Sequence, residues 1–379
     1  MMSFALAWRI LTHDKGRSAL AIAGVFMAIL LVFVELGFFI AVPQGGMLLY
    51  DRMRFDLLLA SSEYEYQAQP GAFPRARLVA ARRLPQVAQA TALYFGQAKW
   101  ESGADGKAPD VFVIGFDPQA QIFTPTEIWE QRAVLGRDDT FLVDTATRPI
   151  FGPLDTGRVV EINGQRMTIG GDYVLGTGFM GLGVILVSEP NFLHPFPFPF
   201  RSLDQPNLGL IGLQPGTDPD AAAAALRKLL ASDVRVFTRP ELESHETAYW
   251  TTRTSVGLLF GSGLLVAFIV GIMVVYQILA TQVSRQLPQF ATLKAIGYAD
   301  RSLGGTVLAM ALLIVVAGFI PALAAAFGIY IVIRDETLLP VTMSATRIGA
   351  VFAATLLMAA FSALLSAGAL RRADPADIF

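Results

Sequence analysis

The sequence contains no cysteine among its 379 residues, and only 16% of them are charged. The missing thiols exclude disulfides, thiolate metal sites and cysteine nucleophiles, and leave the redox compartment open. The shortage of charge sets the chain apart from a soluble domain, in which about a quarter of residues are charged. With a net charge of −2 there is no bulk basic footprint for nucleic acid and no polybasic lipid anchor. Chemical motifs are missing too. No GxxxxGK[ST] occurs, so the chain cannot by itself form the usual cradle for a nucleoside triphosphate. No GxSxG elbow occurs, and His13, His194 and His245 stand far apart with no His/Asp/Glu cluster at metal-ligand spacing. Gly176, Gly178 and Gly181 spell GxGxxG, but the continuation VILVS is strand-like where a dinucleotide site needs a helix. A non-catalytic chain with no metal site and no bound cofactor is the expectation.

What the sequence does have is apolar length, with 54% hydrophobic residues. Four segments reach the roughly 20 apolar residues needed to cross a bilayer: 19–42, 256–280, 307–333 and 348–370. The first follows Arg9, Lys15 and Arg17, but its apolar run exceeds the roughly 7–15 residues of a cleavable signal, so it reads as a retained anchor. With the N-terminus in the cytoplasm, the short flanks carrying Arg285, Lys294, Arg301, Arg371 and Arg372 also fall inside, which satisfies the positive-inside rule. The expected organisation is an interfacial helix (1–17), a first span (18–42), an exported domain and stalk (43–252), a second span (253–281), a cytoplasmic segment (282–303), a third span (304–333), a short outer loop (334–346), a fourth span (347–370) and a cytoplasmic tail (371–379). In the interfacial helix Phe4, Ala7, Trp8 and Leu11 share one face.

The exported block alternates strand-like and helix-like pieces, which predicts an α+β domain inserted between the first two spans. Strands are predicted at 55–61, 92–100, 110–116, 183–188, 208–214 and 234–238, and helices at 74–84 and 218–232, the latter capped by Asp218. Asn163-Gly164 predicts a type I′ hairpin within 158–170. HPFPFPF (194–200) cannot be a regular element, because its prolines hold an extended path. Phe196, Phe198 and Phe200 make this loop either a rigid connector or a docking loop for a partner. Residues 239–254 read as a polar stalk in which Tyr249 and Trp250 mark the outer headgroup level. Glu35 lies toward the outer edge of the first span, where it either faces the bundle interior or serves transport.

Between the second and third spans the chain reads QVSRQLPQFATLKAIGYADRSL. Pro288 suits the first turn of a helix and Gly297 the position just past its end, with Phe290, Leu293 and Gly297 on one face, Lys294 beside them, and Gln289 and Thr292 opposite. A short amphipathic helix on the cytoplasmic surface is predicted. LPQFATLKAIGYADRSL resembles the coupling segment of DevC-type permeases, and Asp374, Pro375, Ala376 and Asp377 match the same family's ADPAD ending. One span, a large exported domain and three further spans resemble the wider MacB/FtsX-like, or mechanotransmission, permease superfamily.

That resemblance implies a MacB-like fold and a bacterial inner-membrane permease with both termini cytoplasmic and a periplasmic domain. It implies a homodimer working with two copies of a separate ABC ATPase, in which ATP and Mg are bound and hydrolysed. Pro288, Gln289, Phe290, Leu293, Lys294, Gly297 and Tyr298 would form the contact with that ATPase, although Gln289 and Phe290 stand where the family commonly has glutamate and tyrosine. A periplasmic membrane-fusion adaptor and a TolC-like outer-membrane channel would complete an export system. The alternatives are an FtsX-like signalling subunit controlling a cell-wall hydrolase and a lipoprotein-releasing permease.

Overall fold

A computed structural model of the chain describes residues 2–102, 106–176, 181–197, 201–296, 300–337 and 339–371. Two compact units emerge: Met1–Ala41, Ser255–Glu336 and Pro340–Phe379 form one, and Val42–Thr254 with Thr337–Leu339 the other. Helix α1 (Met2–His13) buries Ala7 and partly buries Ile10 and Leu11, while Phe4 and Trp8 remain more than half exposed. The face predicted as one apolar stripe is thus divided between core and surroundings. The turn into α2 (Lys15–Asp51) is closed by the Ser18 hydroxyl donating to the Leu11 carbonyl at 2.7 Å and by an Asp14–Arg17 ion pair of 3.0 Å. At about 1.5 Å per residue α2 is about 55 Å long, well beyond a hydrocarbon core of about 30 Å. It does not stop where the apolar run ends but continues through Pro43. Met47, Leu49 and Tyr50 explain the extension, because they are core residues of the inserted domain and packing holds that segment helical.

The inserted domain follows with β1 (Leu57–Ser61), α3 (Ala76–Ala81), β2 (Val87–Lys99), β3 (Asp110–Phe116), α4 (Thr126–Glu130), α5 (Arg132–Leu135) and β4 (Thr140–Asp144). It continues with β5 (Val159–Ile162), β6 (Gln165–Tyr173), β7 (Val184–Ser188), α6 (Glu189–Phe192), β8 (Leu208–Leu213), α7 (Pro219–Leu229), β9 (Val234–Thr238) and α8 (Arg239–Ala248). Among the described residues the strands form one mixed sheet ordered β5-β6-β4-β7-β3-β2-β8-β1-β9, parallel only at β3/β7 and β4/β6. Apolar cores cover both faces. Leu57 and Leu59 enter one of them, while Leu58 and Ala60 enter the other. Alternation along a strand and burial on both sides together require a continuous apolar run, which is what LLLAS and VILVS supply. The predicted hairpin is present, with Asn163 at φ 49° and Gly164 at φ 75°, as a type I′ turn requires. Asp218 caps α7 by accepting from the Asp220 and Ala221 amides, and Thr238 with Glu241 forms a capping box on α8.

The remaining helices are α9 (Ser255–Arg285), α10 (Leu287–Ala295), α11 (Asp300–Thr337) and α12 (Ala345–Arg371). Four helices, α2, α9, α11 and α12, are long and apolar enough to cross a membrane. Small residues bring them together. A Cβ on Gly318 of α11 would lie 3.2 Å from the Phe26 backbone nitrogen of α2, and one on Gly271 of α9 would lie 2.7 Å from the Met358 sulfur of α12. Pro321 lies inside α11. Tyr330 of α11 donates its hydroxyl to the Phe33 carbonyl of α2, and Gly37 makes room for the ring. Four membrane-length helices with an inserted α+β domain is the fold class predicted from sequence.

Candidate functional site

The break between α9 and α11 folds from its own signals. The Gln286 amide donates to the Val283 carbonyl at 3.1 Å and closes α9, and the Phe290 amide reaches the Gln286 carbonyl at 2.9 Å to open α10. Pro288 falls in the first turn, where its missing N–H costs nothing. Phe290 is 3% exposed and inserted in the apolar core of the helical unit, with Leu293 partly buried against the same core. Pro288, Gln289 and Thr292 are exposed, and Ile296, just past the helix, is 70% exposed. Their one-, three- and four-residue spacings place these four on a common outer face. Of the predicted contact residues, Pro288 and Gln289 are therefore available on the outside, while Phe290 and Leu293 are anchors. The Lys294 side chain, Gly297 and Tyr298 lie outside the described residues.

Glu35 is half-buried on α2 and turned toward α9, where a Cβ on Gly263 would fall 2.5 Å from its Oε2. Glycine at 263 gives the carboxylate its space between two helices. No group of three His, Cys, Asp or Glu side chains that could hold a metal ion stands together among the described residues.

In the inserted domain, Phe196 is buried rather than presented. Its ring sits 4.9 Å from Phe192 and covers Gly96, where a Cβ would approach to 2.4 Å. His194 pairs with Asp139 at 2.7 Å. This part of HPFPFPF is a packed connector, and Phe198 and Phe200 lie outside the described residues. In the GxGxxG stretch the Gly176 amide donates to the Asp144 carboxylate at 2.8 Å and strand β7 follows, so an amide that a pyrophosphate would use is already taken. Gly178 lies outside the described residues.

Sequence reasoning missed a polar cluster inside the segment read as a polar stalk. Glu246 of α8 is fully buried, with Oε1 accepting from the Tyr64 hydroxyl, which lies 2.6 Å from the Tyr50 hydroxyl at the end of α2. Its Oε2 has no hydrogen-bond partner among the described residues, and burial pushes the carboxyl up to about 7. Gly46 makes the room: a Cβ there would lie 3.2 Å from that oxygen and 2.8 Å from the Trp250 indole nitrogen. Tyr249 stacks on Tyr66 at 4.4 Å, and Trp250 meets the same ring edge-on at 5.5 Å. The Tyr-Trp pair is therefore packed on its own domain. Only the tyrosine-rich run around Tyr64 and Tyr66 hinted at this, because Glu246 is 182 residues from its partner.

Four helices long and apolar enough to cross a membrane, an inserted sheet domain and a short helix anchored by one face are the features of a multi-pass membrane protein. Residues 261–375 match the family model described as FtsX-like permease C-terminal. That likeness agrees with the resemblance to FtsX-like permeases that its motifs carry. The periplasmic region of MacB from Actinobacillus actinomycetemcomitans is similar at 10% identity and a TM-score of 0.36, over 50% of this chain and 90% of that one. The extracellular domain of the noncanonic ABC-type transporter YknZ from Gram-positive bacteria is similar at 13% identity and a TM-score of 0.33, over 48% of this chain and 99% of that one. No curated protein matches the chain.

Proposed function

We propose that the chain is the permease subunit of a DevC-type tripartite export system in a bacterial inner membrane. Two copies work with two copies of a separate cytoplasmic ABC ATPase, and α10 is the coupling helix. Both termini are cytoplasmic, the inserted domain is periplasmic, and it acts with a membrane-fusion adaptor that continues to a TolC-like channel. The observation that carries this reading is the two-sided burial of α10, with Phe290 and Leu293 held in the helical core and Pro288, Gln289, Thr292 and Ile296 free outside. A helix fixed on one face and joined closely to α9 moves with the spans when its other face is pushed. ATP-driven closure of the ATPase pair supplies that push, and the spans pass it to the periplasmic domain. Because Phe290 is an anchor, an aspartate there would test folding rather than docking. The informative variant is Gln289→Arg with Ile296→Asp. It should reduce co-purification of the ABC ATPase, identified by mass spectrometry, by about tenfold, which corresponds to about 1.4 kcal/mol of lost contact. Its melting temperature should match the parent chain, and an unchanged ATPase yield would remove α10 from the interface.

A further inference from the structure

A second feature lies where α9 ends, just before α10. At the N-terminal end of α2 and the C-terminal end of α9 there is a cavity of about 300 Å³ lined by Arg17, Leu20, Ala21, Gln277, Ile278, Thr281, Gln282 and Arg285. Two arginines stand at this cavity. Arg17 shares its charge with Asp14 at 3.0 Å, whereas Arg285 is exposed and forms no ion pair among the described residues, so the mouth is net positive. The wall is apolar on one side: Leu20 is 75% exposed, while Ala21 is buried beneath it. Deeper between the two helices the gap closes, because Gly24 lets Val274 and Ile278 approach to 3.4 and 3.7 Å of where its Cβ would stand. The Thr281 hydroxyl is occupied by the Gln277 carbonyl at 2.8 Å, which leaves the guanidinium groups and the Gln277 and Gln282 amides as the ligand-facing donors.

We infer that this cavity binds the phosphate of an acidic phospholipid, with Arg17 and Arg285 as the phosphate ligands and Leu20 beside the acyl chains. Guanidinium forks match phosphate oxygens in geometry and charge. The ends of two antiparallel spans place them at headgroup depth, and basic pockets between membrane helices are suited to anionic headgroups. A soluble phosphate would satisfy the arginines but gain nothing from an exposed leucine. Arg285 is the last residue of α9, and α10 begins two residues later, so a lipid held here ties the root of α10 to α2.

The test uses the full-length chain purified in mild detergent and native mass spectrometry with phosphatidylglycerol, phosphatidylcholine or inorganic phosphate. Phosphatidylglycerol should be retained as a discrete bound copy, with phosphatidylcholine and millimolar phosphate failing to displace it. Removing each arginine should weaken retention about fivefold, and Arg17→Ala with Arg285→Ala about 25-fold. Arg17→Lys with Arg285→Lys should weaken it less, and Arg334→Ala, outside the cavity, not at all. Melting temperatures in lipid-free detergent establish that each variant is folded. Wild-type retention by the double alanine variant would overturn the site. Equal retention of phosphatidylcholine would overturn the charge selectivity, and displacement by inorganic phosphate would reassign the cavity to a soluble anion.

Discussion

Replacing Glu246 by glutamine should flatten the dependence of stability on pH between about 4.5 and 7 and leave the variant more stable than the parent chain at pH 8. The carboxyl is fully buried, and its ordinary value of 4.5 is raised to about 7, chiefly by desolvation. Below 4.5 both folded and unfolded chains hold the proton, so the contribution is fully present. As pH rises from 4.5, the unfolded chain releases the proton first, and stability falls until the folded carboxyl ionises near 7. At about 1.4 kcal/mol per pH unit, that interval amounts to about 3 kcal/mol. The groups facing Glu246 do not supply a cation: they are the Tyr64 hydroxyl, the Gln67 backbone amide, Tyr50 behind Tyr64, and the Trp250 indole beside its second oxygen. His245, whose ring lies 5.5 Å from that of Tyr64, has its pKa lowered by burial and works in the opposite sense, gaining stability as pH rises. Subtracting the Glu246→Gln profile from the parent profile isolates the carboxyl. Glutamine keeps an acceptor for Tyr64 without a charge to desolvate. Thermal melting of the full-length chain across this range is the measurement, and parallel profiles for the two proteins would show that Glu246 does not titrate with folding.

A comparable loss is expected from Trp100→Ala. Trp100 is fully buried, meeting Phe141 edge-on at 5.7 Å and Phe151 at 5.3 Å, and it bridges to Ile162 of β5 through its backbone. Its removal opens a cavity where a connecting loop and a hairpin meet, at a cost of about 3–5 kcal/mol. For a domain of this size that lowers the melting temperature by roughly 10 °C. Trp100→Phe should cost clearly less, since the indole N–H is buried without a partner among the described residues and phenylalanine removes that orphan. Circular dichroism melts of both variants check the order, and an alanine variant as stable as the phenylalanine one would contradict the packing account.

The features legible in the sequence are those decided locally. Asn163-Gly164, the Asp218 cap and the apolar run at 110–116 carry their geometry in neighbouring residues, and the structure has a turn, a helix start and a strand there. Strand β4 was missed although TFLVD is buried as completely as LLLAS and VILVS, because Asp138 and Asp139 precede it and Asp144 ends it, so its short apolar stretch reads as part of a polar loop. The first span's continuation to Asp51 was missed because its last turns are helical through packing against the inserted domain. At the candidate site the proline start of α10 was readable, as was its apolar face. Which residues stay outside was readable only in part, because Ile296 is apolar yet exposed and Phe290 belongs to a core assembled from distant spans. The Glu246 cluster illustrates the same limit, for a glutamate in RPELESHETAYW has the local surroundings of a solvated one.

The proposed coupling role of α10 is tested most directly by crosslinking, for which the absence of cysteine makes every introduced thiol unique. Single cysteines at positions 289, 293 and 296 in the full-length chain, reacted in membranes that contain the proposed ABC ATPase, report which face of α10 is held. The account predicts adducts with a nucleotide-binding ABC subunit from positions 289 and 296 and little from 293, whose side chain is turned into the core. Adducts from 293 alone, or none with an ABC ATPase from any of the three, would contradict it.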